Sequence, residues 1–455
     1  DNYRQSQSIS VTESRANSMV KEHIRFIHQL EREGRLDRGL EYLPTDDEMQ
    51  ERLIKGKGLT RAELAILTSY GKMSLKDQLN VPAVVDDPFY RDMLAGYFPP
   101  LMRNKFAEPI QQHRLKHEII AMQLANDMVN FGGANFAHRM VDETGVSFAE
   151  VASCFTLARE VFGVDKFWEQ IEALDNKVAA DLQLEAMHES QRLIRRAARW
   201  FMRQRRKHAG LAEEIARFKP AIDVLRAQLP KVLEASEAAD LAGDTQRYVE
   251  RGLPKKLAEE LAHLSTLFSA LDIAEVAEEQ AQPVALVAET YFKLGFRTDL
   301  HWFLSQIVRQ PVENHWQAFA RSAFREELDW QQRQLTGAVL KLTGKELDAN
   351  SRLDSFLQDN SEVKRWLQLL TEFRTSNTHE FAKFSVALRE LGILVQSCQR
   401  QVAAGGKLKP KAAAKAPAKA SAKASSSARN ASTTSKPAAK KPASKVNKKK
   451  GDARR

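Results

Sequence analysis

Histidine pairs are the first residues of this 455-residue chain with a spacing that could do chemistry. His113 and His117 stand four apart, which on one helix would bring two imidazoles to a single metal ion. No third ligand follows at a fixed spacing, so an ordinary helix face is the expected reading. His-Glu dipeptides begin at His117, His188 and His379, as in the H-E-x-x-H metalloprotease pattern. Their fifth positions hold Ala121, Arg192 and Lys383, so the second histidine is missing in all three. Gly132-Gly133 lies between helical segments and not after a strand, which excludes a G-x-G-x-x-G cradle for a pyrophosphate. Gly344-Lys345 is followed by Glu346, and no glycine occupies position 339, so the phosphate-loop pattern fails too. Cys154 sits among apolar neighbours in EVASCFTLARE, where a buried thiol is expected and not a nucleophile. Without a nucleophile elbow, no Ser-His-Asp arrangement can be argued. No catalytic, cofactor-binding or metal residue is assigned.

Charge offers a different kind of site. In the run RLIRRAARWFMRQRRKH, Arg195, Arg199, Arg203 and Arg206 recur three or four apart. One helix face is therefore cationic, while Leu193, Ala197 and Trp200 can turn inward. Two readings stand: a contact for an anionic ligand or another domain, or a solvated face paired with acidic neighbours. Trp302-Phe303, with Trp316 and Phe319, is expected to be core or interface anchor and not a base-stacking platform. The net charge of +10 is unevenly spread: residues 401–455 hold 16 Lys and Arg against one acid, Asp452, leaving 53 basic and 58 acidic residues before them. The body is mildly acidic, and its tail carries the high pI.

The elements that would position these residues read as helices throughout. Thr45 with Glu48, Thr60 with Glu63 and Ser147 with Glu150 have capping-box spacing, in which hydroxyl and carboxylate satisfy reciprocal backbone donors at a helix start. Asp87-Pro88 puts a capping carboxylate before a proline at a first helical position. Gly71, Gly132-Gly133, Gly145, Gly163, Gly252 and Gly295 fall where apolar periodicity stops, and are read as helix ends. Val20, Ile24, Ile27 and Leu30 form one stripe; Leu115, Ile119, Met122 and Val129 form another. Pro220 and Pro230 are expected to kink or break a long helix, with a boundary near 205–230. Further helices are expected near 244–252, 254–271, 272–294, 298–309, 313–342 and 361–402. No pair of alternating apolar runs joined by Asn-Gly or Asp-Gly suggests a hairpin. The fold class is all-α, an irregular multi-helix array. Its parts are a helical lead-in (1–57), a core helical module (58–210), a second helical subdomain (211–402) and a Lys/Ala/Pro/Ser-rich tail (403–455). That tail is too poor in apolar residues to offset its ordering entropy and is expected to be disordered.

Two cysteines 244 positions apart argue against a disulfide framework and for a reducing compartment. No run of 18 apolar residues exists. A cytoplasmic protein with no membrane partner is the expectation.

Seven phrases carry a family resemblance. They are DNYRQSQ (1–7), HIRFIHQLEREGRLDRGLEYLP (23–44), GLTRAELAIL (58–67), YFPPLMRNKF (97–106), HRLKHEIIAMQLANDMVNFGGANFAHRMVDETG (113–145), REVFGVDKFWEQIEALDNKV (159–178) and HESQRLIRRAARWFMR (188–203). In this order they resemble the C-terminal region of the large bacterial NAD-specific glutamate dehydrogenases. Agreement is weaker beyond Gly210, mainly over 301–336. Ala62 stands where the family often has proline, and the tail after about Ala403 is not typical of it. The resemblance implies a C-terminal fragment following a catalytic domain. The whole enzyme would convert L-glutamate and NAD to 2-oxoglutarate, ammonia and NADH in amino-acid catabolism. This segment would bind no cofactor and be inactive alone. Its implied partners are its own upstream catalytic domain and further copies, as a homo-oligomer. The apolar faces of 109–131 and 179–203 are the expected packing surfaces. The rival reading is a stand-alone helical protein binding nucleic acid or another polyanion through a tail like those of linker histones. Without aromatics or a folded reader such binding would be weak and unselective.

Overall fold

The computed structural model describes residues 2–204, 210–312, 314–344, 347–358, 360–376 and 380–408. These residues form helices, turns and loops, with no strand among them, so the all-α expectation holds. The chain opens with α1 (Asn2–Ser14), a 3₁₀ turn (Ala16–Ser18), α2 (Val20–Arg32), α3 (Asp46–Ile54) and α4 (Arg61–Leu79). Short pieces follow: α5 (Pro82–Val85), a second 3₁₀ turn (Pro88–Tyr90), α6 (Arg91–Tyr97), α7 (Pro100–Lys105) and α8 (Ala107–Gln111). Then come α9 (Lys116–Gly132), α10 (Phe136–Thr144), α11 (Phe148–Phe162), α12 (Val164–Glu172) and α13 (Ala180–Gln204).

Beyond these lie α14 (Leu211–Val232), α15 (Ala235–Glu250), α16 (Lys255–Leu267), α17 (Ala270–Gln280) and α18 (Val284–Arg297). The last group is α19 (Leu300–Arg309), α20 (His315–Leu342), α21 (Ala349–Leu357), α22 (Ser361–Thr375) and α23 (Phe381–Ala403).

Local sequence explains many helix starts. The three capping boxes form as read: Thr60 accepts from the Glu63 amide while Glu63 accepts from the Thr60 amide at 2.7 Å, and the Thr45 and Ser147 boxes repeat the pattern. Asp87 accepts from the Phe89 amide and opens the second 3₁₀ turn. Gly145 and Gly163 end α10 and α11 in the left-handed region, as helix-ending glycines do. Gly71 and Gly295 correct that reading, since both lie inside helices. A Cβ on Gly71 would lie 2.6 Å from the Ala134 carbonyl oxygen, and one on Gly295 2.3 Å from His301 Nε2. Close approach, not helix termination, calls for glycine there.

Pro220 and Pro230 also depart from expectation, because α14 runs continuously through both. A mid-helix proline costs about 3 kcal/mol, but Phe218, Ile222, Leu225 and Leu229 are all buried along this helix. Each contributes about 1.5–3 kcal/mol on full burial, enough to outweigh the prolines. The single helix read over 272–294 is two, parted at Ala281, whose φ is +48°, with Pro283 just beyond. The one read over 361–402 is also two, α22 and α23, and α21 was not foreseen.

Apolar side chains gather in three clusters. The first extends from Val11 to Leu340 and includes the buried faces of α9, α11, α13, α14 and α16. The second joins α19 to α23 around Phe303, Trp366 and Phe384. The third packs α2 on α3 and α4 around Phe26, Leu30 and Leu67. The division at 57/58 and 210/211 remains a proposal from the sequence; the first cluster has members on both sides of each. Of the α2 stripe, Val20, Ile27 and Leu30 are buried with Phe26. In α9 the inward residues are Ile120, Leu124, Met128 and Val129, whereas Leu115 is 51% exposed. Of the stripe read there, Val129 is buried, Ile119 and Met122 are half-buried and Leu115 is exposed.

Candidate functional site, an arginine-lined cavity

The histidines do not form a pair on one helix. His113 lies in the turn between α8 and α9, its Nδ1 accepting from the Leu115 amide at 3.1 Å. His117, inside α9, points its Nε2 to Asp86 at 3.1 Å. Among the described residues no group of three or more His, Cys, Asp or Glu is placed to hold a metal. Cys154 is buried, and burial pushes its thiol up to about 12. His379, Lys345, Glu346 and Arg206 lie outside the described residues, as does the tail from 409 onward. The chain before that tail is anchored: the Leu408 amide donates to the Leu342 carbonyl at 2.8 Å.

The basic helix is where the sequence pointed to something real. On α13, Leu193, Ala197 and Trp200 are buried as expected. The opposite face is only partly solvated: Arg195, Arg196 and Arg199 are half-buried, Arg192 and Arg203 exposed. It forms one wall of a cavity of about 1750 Å³, whose other walls come from Arg15 after α1, the start of α2, and α10, α16, α17, α19, α20 and α23. Ten arginines line it against seven carboxylates, so the wall carries a cationic surplus.

One part of this cavity is a matched network across α13 and α20. Arg196 meets Asp329 at 3.0 Å, and its guanidinium stacks 3.7 Å over the Phe268 ring. Arg199 bridges Glu143 of α10 and Glu326 of α20, the latter at 3.2 Å, and Arg203 also reaches Glu326. Deeper, Arg333 lies 3.3 Å from Asp272, which accepts from Trp200 Nε1 at 2.9 Å. Burial raises the Asp272 carboxyl to about 7 even against the opposing Arg333 charge, and its second oxygen has no hydrogen-bond partner among the described residues. A carboxyl that keeps its proton tolerates such a site. Both sequence readings of the basic run are thus half met: the arginines pair with acids, and they do so between helices far apart in sequence.

The other part is unmatched. Arg15, Arg195, Arg321 and Arg325 have no carboxylate within ion-pair distance among the described residues, although all four line the cavity. Arg321 donates to the Gln310 carbonyl at 3.1 Å. Arg195 makes a 3.4 Å contact to the Gln191 carbonyl. Burial, then the charges of Arg15, Arg139 and Arg192, pull Arg195 well below the usual guanidinium range. Arg325 falls to about 10 through burial and then Arg196. His188, on the same helix turn as Arg192, is held near 4 by burial and by Arg15, Arg195 and Arg192.

Sequence reading found the α13 arginines but missed Arg15, Arg139, Arg321 and Arg325. The α20 set had a signal, since Arg321, Arg325, Asp329 and Arg333 repeat every four residues and share one helix face. Phe303 is core, as expected, while Trp316 is 76% exposed and Phe319 stands at the cavity wall.

Fold and cavity together define an all-helical module whose long helices meet across a charged seam. The family model described as glutamate dehydrogenase, C-terminal, matches residues 56–392, and the chain belongs to that family. It is similar to the NAD-specific glutamate dehydrogenase of Pseudomonas aeruginosa, at 42% identity over 403 residues, covering 88% of this chain and 25% of that protein. The protein of the same name from Halomonas elongata is 37% identical over 400 residues, covering 87% and 25%. That from Mycobacterium tuberculosis is 28% identical over 404 residues, covering 89% and 25%. The chain therefore spans a quarter of the length of the curated relatives it matches.

Proposed function

We infer that this chain is a structural and assembly module of an NAD-dependent glutamate dehydrogenase and is not itself catalytic. The whole enzyme would oxidise L-glutamate to 2-oxoglutarate and ammonia while reducing NAD, and this module would bind no NAD. The family match over 56–392 is the observation that carries the reading. No helix among the described residues is long and apolar enough to cross a membrane.

The surface on which the module docks is not the one first expected. The apolar faces of α9 and α13 are buried within this chain, so they are already used. Instead, Tyr97, Leu101, Met102, Phe106 and Leu115 leave an exposed apolar stretch along α6 to α9, with Leu101 92% exposed. Exposed apolar groups clustered in this way mark interfaces. The relatives' remaining three quarters of chain, the catalytic region included, is the occupant proposed for it. A homo-oligomer would add a second copy to the same assembly.

The test is an assay of the purified chain with glutamate and NAD. A folded, helical and silent protein is expected; glutamate-dependent NADH formation by the chain alone would overturn the reading.

A further inference from the structure

We propose that Arg15, Arg192 and Arg195, where the end of α1 meets α13, form a binding site for a compact polyvalent oxyanion, a phosphate group or a dicarboxylate. The inference goes beyond the assembly role and does not depend on it. Three observations carry it.

All three arginines line one cavity, Arg15 and Arg195 half-buried in it and Arg192 57% exposed. Guanidinium groups, with several donors in a fixed fork, match phosphate and carboxylate oxygens two at a time.

The carboxylates nearby are already committed. Glu189 holds Arg192 at 2.7 Å, Glu143 takes Arg199 and lies 3.6 Å from Arg139, and Glu22 lies 3.4 Å from Arg25. Arg15 and Arg195 are left without an ion-paired acid among the described residues, although Glu189 partly offsets the charge at Arg195. Burial is the first cause that lowers both; Arg15 then acts on Arg195, and Arg139 and Arg192 act on both in the same sense.

One donor is also left waiting: Arg139 Nε is buried with no hydrogen-bond partner among the described residues, the nearest Glu143 oxygen lying 3.6 Å away. Native folds rarely leave buried donors unpaired. An anion seated among these groups would relieve the repulsion and accept the spare Arg139 hydrogen bond. A single negative charge would neutralise only one of the two unmatched guanidiniums, so a dianion fits better. An acidic peptide would supply the same oxygens, but the recess favours a small ion.

Thermal unfolding of the intact chain, followed by circular dichroism, tests the site at constant ionic strength set by chloride. Phosphate, pyrophosphate and succinate are each titrated to about 10 mM, and a saturable rise of about 2 °C or more in Tm is expected for at least one. Arg195→Gln and Arg15→Gln should each weaken that response about tenfold, and Arg195→Lys should retain part of it. The basic tail is common to all variants, so only their difference counts.

In chloride alone the two glutamine variants should melt no lower than wild type, because they remove a repulsive charge. Saturation at lower phosphate or pyrophosphate than succinate assigns a phosphate group; the reverse order assigns a dicarboxylate. An unchanged response in both variants, or no response to any anion, overturns the proposal. Both variants melting several degrees lower in chloride would make these arginines scaffold and overturn it too. A variant-sensitive response to a glutamate-rich peptide alone would assign a peptide site and refute the small-ion one.

Discussion

Asp272 shows how a single residue can tie stability to pH. Its folded carboxyl keeps its proton up to about 7 because it is buried, whereas an unfolded chain releases it near 4. Between those values the unfolded state sheds a proton that the folded state holds, so raising the pH favours unfolding. Asp272→Asn has no such proton to lose. Its Tm should therefore fall less than that of wild type between about pH 4 and 7; parallel curves for the two proteins would refute the assignment. His188 acts in the opposite direction, since a ring held near 4 costs stability as pH falls below its ordinary 6.5. The two contributions are separable only in single variants. Neither was visible in the sequence. Asp272 reads as one acid in ALDIAEVAEE, and its environment comes from Trp200 and Arg333, 72 and 61 positions away. The arginine run at 192–208 was legible because its charges repeat locally. What faces it was not, because Glu326 and Asp329 are more than 120 residues further on.

At the level of the element, features written within a few residues were read correctly, and those set by neighbours were not. Capping boxes are local, and all three form. Thr60→Ala should cost about 1 kcal/mol in urea unfolding through loss of one cap. Gly71→Ala looks harmless from helix propensity, which favours alanine by about 1 kcal/mol. Yet the new methyl would meet the Ala134 carbonyl oxygen at 2.6 Å, and overpacking of that kind costs about 1–3 kcal/mol. Net destabilisation is therefore expected, and a stabilised Gly71→Ala variant would show that α4 can move away from that carbonyl. Proline at 220 and 230 was misread for the same reason in reverse, since tertiary burial of the α14 face prevails over a strong local signal. The break at Ala281 had only Pro283 to announce it.

At the scale of the whole molecule, the all-helical class was plain from the recurrence of caps and the lack of strand patterning, whereas the location of free surface was not. Apolar stripes identify faces that must be covered without saying whether the cover is the same chain. Those of α9 and α13 are covered from within, which moves the proposed docking surface to α6–α9. Leu101→Asp with Phe106→Asp, placed in the whole dehydrogenase, should leave this module's helicity intact while weakening assembly, read as a lower mass in sedimentation. An unchanged mass would move the interface elsewhere.

Two helices serve both large apolar clusters. α18 places Phe292 in the first and Leu294 in the second, and α20 divides Leu340 from Val339 and Leu342 in the same way. Neither cluster can melt without stripping side chains from a helix that the other needs. Calorimetry should therefore record one endotherm for the two, with equal calorimetric and van't Hoff enthalpies. Damage on one side of the molecule would then be felt by protease and heat on the other.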